Sequence, residues 1–230
     1  MRIKPHENFQ GVYWVYGLEG TRKLATQNLT PGRGVYGEKL VRVGGLEFRL
    51  WDPYRSKLAA ALWKGLKTFP FQPSSRVLYL GAATGTTASH VSDIIGSEGK
   101  IYCVEFAQRV IRELVSNVCA YRKNMIPLMA DARKPETYRW SVEKVDAIYC
   151  DIAQPEQARV LVDNAEMFLK PGGRTMLAVK ARSIDVTKEP SEVFRKEVQV
   201  LEGWGMTVLE KISLEPYDKD HSFIVAKPKA

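Results

Sequence analysis

Long apolar runs are missing from this 230-residue chain. No stretch of 18 apolar residues could span a bilayer, and no early segment resembles a secretory h-region. The expected address is therefore the cytoplasm or nucleus, with no membrane partner. Cysteine is scarce as well. Cys103, Cys119 and Cys150 make neither a C-x-x-C pair nor a cluster with metal-ligand spacing. They read as small buried hydrophobes, and no metal is expected. No RNP1, KH or zinc-knuckle module is recognisable. A G-x-x-x-x-G-K-[ST] phosphate loop is also absent, which removes the commonest cradle for a nucleoside triphosphate.

What is present suits a globular α/β protein. Hydrophobic residues make up 45% and charged residues 26%, in a chain long enough for one α/β domain with a small appendage. The net charge of +8 is unevenly spread. Residues 1–70 hold 12 Lys or Arg against 5 Asp or Glu, and residues 71–230 hold 22 against 21. A basic N-terminal third beside a nucleotide fold points to a polyanionic partner through phosphate contacts, or else to a solvated face.

Arg76 to Glu105 organises the rest. Val77 to Leu80 is a short buried-strand pattern that runs into Gly81, Thr84, Gly85, Thr86 and Thr87. A helix through His90, Val91, Ile94 and Ile95 follows, then a strand from Lys100 to Val104 that ends at Glu105. Gly81 and Gly85 have three residues between them and lack the G-x-G-x-x-G spacing, so this turn is not the pyrophosphate cradle of NAD or FAD. Glu105 is placed to accept hydrogen bonds from a ribose diol. A loose glycine turn with a ribose-binding acid resembles the S-adenosylmethionine-dependent methyltransferases; another α/β nucleotide fold or a degenerate site remains open.

Residues 9–50 turn often and read as antiparallel hairpins. Val12, Trp14 and Tyr16 share a face before a turn at 17–20, Lys23 to Gln27 returns, Val35-Tyr36 is a short interrupted segment, and Leu40–Val43 and Leu46–Leu50 flank Gly44-Gly45. A helix is expected over Tyr54–Leu66, with Lys57 near its start, where the macrodipole disfavours a cation. Further on, Gln108–Ala120 reads as a helix and Met125–Met129 as a strand ending at Asp131-Ala132. Asp131 suits the adenine edge of a cofactor or, equally, a turn before Pro135. Val145–Cys150 is a strand ending at Asp151, and a helix is expected from Gln154-Pro155. Lys170–Gly173 is a breaker before a strand over Thr175–Val179 that ends at Lys180. A helix over Ser191–Leu201 precedes strands at Met206–Leu214 and His221–Ala226, whose short connection makes them antiparallel neighbours.

Ligands of open α/β sheets bind outside the carboxyl ends of the strands. Asp151 and Lys180 follow strand ends, His221 opens the last strand, and Lys57 lies on the helix before the sheet. Each alone has an ordinary structural reading. Together they could form an acid–base site, because a neighbouring cation and desolvation bring a lysine into the range of a useful base while an aspartate orients it.

The segments VLYLGAATGTTASHVSDIIG, VEF at 104–106, DIAQP at 151–155, DPYRSKLAAAL at 52–62, FLKPGGRTMLAVKARSID at 168–185 and DHSFIVAKP at 220–228 resemble the fibrillarin family, specifically the archaeal fibrillarin-like rRNA/tRNA 2'-O-methyltransferases. The likeness covers essentially the whole chain. It implies a Rossmann-like S-adenosylmethionine-dependent methyltransferase fold, with a mostly parallel seven-stranded sheet, a terminal antiparallel hairpin and a small N-terminal antiparallel β subdomain. The boundaries expected are 1–52 for the subdomain and 53–230 for the methyltransferase domain. The implied catalytic set is Lys57, Asp151, Lys180 and His221, with Lys180 as base. The implied S-adenosyl-L-methionine site is Gly81, Ala82, Thr86, Thr87, Glu105, Phe106, Asp131, Ala132, Asp151 and Gln154. The resemblance also implies partners: a Nop-type scaffold protein, a kink-turn-binding ribosomal-type protein, and box C/D guide RNA with its substrate RNA. The glycine- and arginine-rich tail of eukaryotic members is absent from this sequence, and an archaeal, cytoplasmic source is expected.

Two other readings stand beside this one. A methyltransferase for a different acceptor would usually show [DN]-P-P-[YF] where this chain has Asp151-Ile152-Ala153-Gln154, or a loop cysteine, whereas Cys150 lies inside an apolar strand. A non-catalytic RNA-binding subunit with a vestigial pocket would not need the glycine turn, the acid and both lysines together.

Overall fold

A computed structural model of the chain describes residues 2–17 and 20–229. The turn-rich N-terminal sequence forms strands β1 (Arg2–Pro5), β2 (Val12–Tyr16), β3 (Arg22–Gln27), β4 (Leu40–Val43) and β5 (Leu46–Trp51), an antiparallel sheet in the order β1-β2-β3-β5-β4. Gly44 and Gly45 join β4 to β5 with φ of 61° and 81°, the left-handed pair that a two-residue hairpin turn requires. The sequence carries no signal for β1, whose side chains are mostly exposed and which is held by pairing with β2. Val35-Tyr36 forms no strand. Its two amides donate to the Glu38 carboxylate instead, at 3.0 and 2.8 Å, folding the loop around its own acid. Part of the turn expected at 17–20, Leu18 and Glu19, lies outside the described residues.

The larger sheet contains β6 (Arg76–Leu80), β7 (Lys100–Glu105), β8 (Met125–Met129), β9 (Val145–Cys150), β10 (Leu169–Lys180), β11 (Met206–Ser213) and β12 (His221–Pro228), ordered β11-β12-β10-β9-β6-β7-β8. Strands β8, β7, β6, β9 and β10 are parallel, and β12 is antiparallel to both β10 and β11. This is the mostly parallel seven-stranded sheet with a terminal hairpin that the sequence led us to expect. The returning strand β12 is inserted between β10 and β11, so His221 lies directly opposite Lys180.

Parallel strands covered on both faces must be apolar throughout, and β6 shows how that works. Val77 and Tyr79 pack with Val91 and Ile94 on one face; Leu78 and Leu80 pack with Leu161 and Phe168 on the other. The first of these clusters continues without a break into Val12, Trp14, Leu24 and Trp51 of the small sheet.

Helices α1 (Lys57–Trp63), α2 (Thr86–Ile95), α3 (Gln108–Asn117), α4 (Gln157–Phe168), α5 (Ala181–Ile184) and α6 (Pro190–Gly203) complete the fold. Several differ from the sequence reading at their ends. Helix α1 is shorter than Tyr54–Leu66, because Asp52 folds the preceding residues into a turn and Ser56 caps the helix, accepting from the Ala59 amide at 3.3 Å. It stops before Gly65, whose φ of 88° lets the Leu66 amide reach back to the Ala61 carbonyl. Helix α3 ends at Asn117, and Cys119–Tyr121 is a separate 3-10 turn. Helix α4 begins at Gln157, not at Gln154-Pro155, and the buried Glu197 of α6 accepts from its Ala158 amide at 2.9 Å. The breaker Lys170–Gly173 survives as an irregularity within β10, between Leu169 and Arg174.

A buried polar network seals the two sheets together. Asp93 of α2 has no exposed side-chain surface, and it sits between Arg49 of β5 at 3.0 Å and Arg122 at 2.5 Å. Thr26 and the Leu29 amide also donate to it, at 2.7 and 2.9 Å, and Arg49 reaches Glu38 at 2.6 Å. Removing one partner of such a network leaves uncompensated charge, at a cost of about 3–5 kcal/mol. Asp93→Ala, which strands two buried guanidiniums, is expected to lose stability on that scale in urea denaturation. A loss no greater than that from replacing an exposed acid such as Glu166 would contradict this assignment.

Candidate active site

The strand order reverses beside β6: β7 and β8 lie to one side of it, β9 and β10 to the other. Such a switch point opens a crevice outside the carboxyl ends of the strands. Gly81 follows β6 and Asp151 follows β9 at this point, and the Asp151 amide donates to the Leu80 carbonyl at 2.9 Å. Gly81 has φ of 80°, and a Cβ on it would stand 2.6 Å from the Asp151 carbonyl oxygen. Glycine is required here so that the backbone carrying Asp151 can close in. Gly85, with φ of 94°, leaves room for Leu114 of α3, which a Cβ would meet at 2.8 Å. Both glycines of the turn thus serve protein packing.

A cleft of about 350 Å³ lies at this edge, lined by Gly81, Ala83, Glu105, Phe106, Asp131, Ala132, Asp151, Gln154 and Lys180, among others. Seven of the ten expected cofactor residues are in that lining. Ala82, Thr86 and Thr87 are not. Thr87 is buried and donates to Ser56, the cap of α1, at 2.9 Å, so it ties the start of α1 to the start of α2. Ala83, which the sequence reading did not single out, is part of the cleft wall, and so is Lys180, which was expected at this edge as the base.

Each acid in the cleft has a defined state. Glu105 accepts from the Ala83 and Ala107 amides, both at 2.9 Å, which fixes its carboxylate against the glycine turn and leaves further lone pairs for a ligand. Asp131 is gripped by the Arg133 guanidinium at 2.7–3.0 Å. Hydrogen bonds from Arg133 hold its carboxyl below the usual range. Asp131 therefore has the turn role as well as a place on the cleft wall. The cations of the wall are both paired, Arg133 with Asp131 and Lys180 with Asp151. Phe106 is 69% exposed, unusual for a phenylalanine and open to stacking.

The structure brings Lys57, Asp151, Lys180 and His221 to one place. Asp151 Oδ1 lies 2.9 Å from Lys180 Nζ and 3.4 Å from Lys57 Nζ, and Oδ2 accepts from Lys57 at 3.5 Å. Lys180 Nζ donates to the Asp151 carbonyl at 3.2 Å, and its backbone amide donates to the buried Gln157 at 3.1 Å. Asp151 Oδ1 is thus buried between the two ammonium groups. Lysine at the first position of α1, unfavourable for the macrodipole, is accounted for by these carboxylates.

His221 reaches neither Lys57 nor the cleft directly. Its Nδ1 is 2.9 Å from Asp218 Oδ1, and Asp218 Oδ2 is 3.6 Å from Lys57 Nζ. Burial pushes the Asp218 carboxyl up, but His221 and then Lys57 more than offset this and hold it below its ordinary value. Asp218 is thus the residue that the sequence reading missed. Its only signal was an acid three positions before the histidine, in a loop that also holds Glu215 and Asp220.

Comparison with known proteins agrees with this geometry. The family model described as Fibrillarin matches residues 3–230. A fibrillarin-like rRNA/tRNA 2'-O-methyltransferase of Methanopyrus kandleri is 59% identical over 227 residues, covering 99% of this chain and 97% of that protein. The crystal structure of Aeropyrum pernix fibrillarin with natively bound S-adenosyl-L-methionine is 51% identical, with a TM-score of 0.93 over 99% of this chain and 98% of that one. A fibrillarin/Nop5p complex contains a chain 45% identical, with a TM-score of 0.83 over 97% of this chain and 100% of that one. With these matches along its whole length, the chain belongs to the fibrillarin family.

Proposed function

We propose that this protein transfers a methyl group from S-adenosylmethionine to a ribose 2'-hydroxyl of RNA, ribosomal precursor or tRNA, at positions chosen by a guide RNA. The observation that carries the reading is the place of Asp151, which belongs both to the nucleoside-sized cleft and to the cluster of lysines. The cleft suits a nucleoside without phosphates, because its two cations are already neutralised by acids. Glu105 would accept from the ribose hydroxyls, Phe106 would cover the base, Asp131 and Ala132 would meet its edge, and Gly81 and Gln154 would line the remainder. When bound, the cofactor supplies an electrophilic methyl group on a sulfonium whose leaving group is a neutral thioether.

The chain's own residues then have to align the acceptor and take up one proton. Of the two lysines, Lys180 lines the cleft, so its Nζ is assigned as the proton acceptor. In its neutral amine form Nζ takes the proton from the acceptor hydroxyl as the oxygen attacks the methyl carbon, and Asp151, 2.9 Å away, orients it. Lys57 balances the carboxylate from the other side, and Asp218 with His221 holds Lys57 in place. A cysteine-dependent acceptor chemistry fits poorly, since burial pushes the Cys150 thiol up to about 12.

The proposed assembly is a cytoplasmic box C/D particle. A Nop-type scaffold docks the enzyme, a kink-turn-binding protein holds the guide RNA, and base pairing selects the target. The relative solved with Nop5p and the basic N-terminal third support that reading.

Three outcomes test it. Calorimetry is expected to show S-adenosylmethionine binding that persists in chelator and is lost in Glu105→Ala; tight NAD binding with no response to S-adenosylmethionine would sink the cofactor assignment. Lys180→Ala is expected to lose more than about a hundredfold in single-turnover methylation while keeping cofactor affinity. Near-normal turnover with an unchanged pH profile would move the base to Lys57. Guide-directed methylation is expected only after reconstitution with scaffold, kink-turn protein and guide RNA. Equally fast, equally site-specific methylation by the isolated chain would refute the dependence on partners.

A further inference from the structure

Strand β10 runs on past one of its neighbours. Its pairing with β9 ends at Leu177 opposite Cys150, while its pairing with β12 continues to Lys180 opposite His221. Ala178, Val179 and Lys180 therefore have a strand on one side only. Successive amides of an extended chain point to opposite sides. Lys180 is extended, with φ of −106° and ψ of 94°, and the next amide, that of Ala181, donates to the Asp220 carbonyl just ahead of β12 at 3.2 Å. The Lys180 amide thus faces the side on which β9 has ended. Gln157 takes the place of the missing strand there, its Oε1 accepting from the Lys180 amide at 3.1 Å.

Gln157 is the first residue of α4 and has no exposed surface. Its carboxamide can face Lys180 in only one sense, since the reversed amide would set its NH2 against the backbone N–H. That sense leaves Nε2 buried with no acceptor among the described residues. An unmet buried donor costs stability, so an apolar side chain of the same length would serve the core as well. What sets glutamine apart here is the contact of its oxygen with Lys180. Its own position is fixed from α6, where the buried Glu197 accepts from the adjacent Ala158 amide at 2.9 Å. The connection over 151–157 thus grips Lys180 at both ends. Asp151 holds Nζ, 2.9 Å from its Oδ1 and 3.2 Å from its carbonyl, and Gln157 holds the backbone. We propose that Gln157 is a positioning residue for the base, holding the Lys180 peptide in the orientation that directs Nζ to Asp151 and the cleft. Rotation of this peptide would swing the whole lysine side chain, and a misplacement of about 1 Å can cost about a hundredfold in rate. The role rests on the reading of Lys180 as the proton acceptor of a ribose methyltransferase.

The test compares Gln157→Met, which keeps the length and removes the acceptor, with Gln157→Glu, which offers an oxygen to the amide in either protonation state. Hydrogen exchange followed by NMR on the full chain reads the contact itself. The Lys180 amide is expected to exchange about tenfold faster in Gln157→Met and at the wild-type rate in Gln157→Glu. In the assembled particle, Gln157→Met is expected to lower kcat by between about tenfold and a hundredfold. KM for RNA, cofactor affinity by calorimetry and the urea midpoint are expected to stay unchanged, and Gln157→Glu to turn over near the wild-type rate. Added to Lys180→Ala, Gln157→Met is expected to cost nothing further, because it acts through that lysine. A wild-type kcat or wild-type Lys180 exchange in Gln157→Met would overturn the proposal. Equal losses in the two Gln157 variants, an additive loss in the double variant, or a fall in cofactor affinity or urea midpoint would overturn it by assigning the effect to packing. Lys180→Ala alone distinguishes the two levels of the argument. Normal turnover there would overturn the base itself, whereas a large loss there with none in Gln157→Met would overturn only the role of Gln157.

Discussion

A carboxylate enclosed between two guanidiniums holds this molecule together. Asp93 faces Arg49 from the small sheet and Arg122 from the main fold, and Thr26 and the Leu29 amide fill its remaining positions. Buried charge is tolerable only when satisfied in this way. Because Asp93 is on α2, the small sheet is docked on the helix that begins at the glycine turn. The first turn of the same helix holds α1 through Thr87 and Ser56. The position of Lys57 follows from that chain of polar contacts, although none of its members touches the cleft.

The site itself is a problem in charge balance. Two lysines are opposed by two carboxylates, Asp151 and Asp218, on two strand ends and a loop. Asp151 can stand between the ammonium groups because Gly81 carries no side chain to push its backbone away. Glu105, held by two backbone amides, is a rigid acceptor at the other end of the same cleft.

Much of the architecture was legible because its signals are local. Apolar runs ending in Gly81, Glu105, Asp151 and Lys180 marked the parallel strands and their carboxyl ends together, and a connection too short for a crossover made the last two strands antiparallel. Helix ends were less legible. The start of α1 depends on a turn around Asp52 and a cap at Ser56, which compete with the helical preference of the following alanines. Thr87 was implied as a cofactor residue by the family resemblance, and its hydroxyl donates to Ser56, the cap of α1. Asp131 carried two readings, and Arg133, two residues on, makes the turn role explicit.

By itself the sequence determined the strand-turn-helix unit, the antiparallel hairpins and the four ionisable residues at one edge of the sheet, because periodicity, glycine and strand ends are properties of neighbouring residues. Only the tertiary structure decided that β12 enters between β10 and β11, that Asp218 stands between His221 and Lys57, and that Arg49 and Arg122 share Asp93. Those outcomes depend on which charges lose water together. That is settled when distant segments pack, and no window of sequence contains both partners.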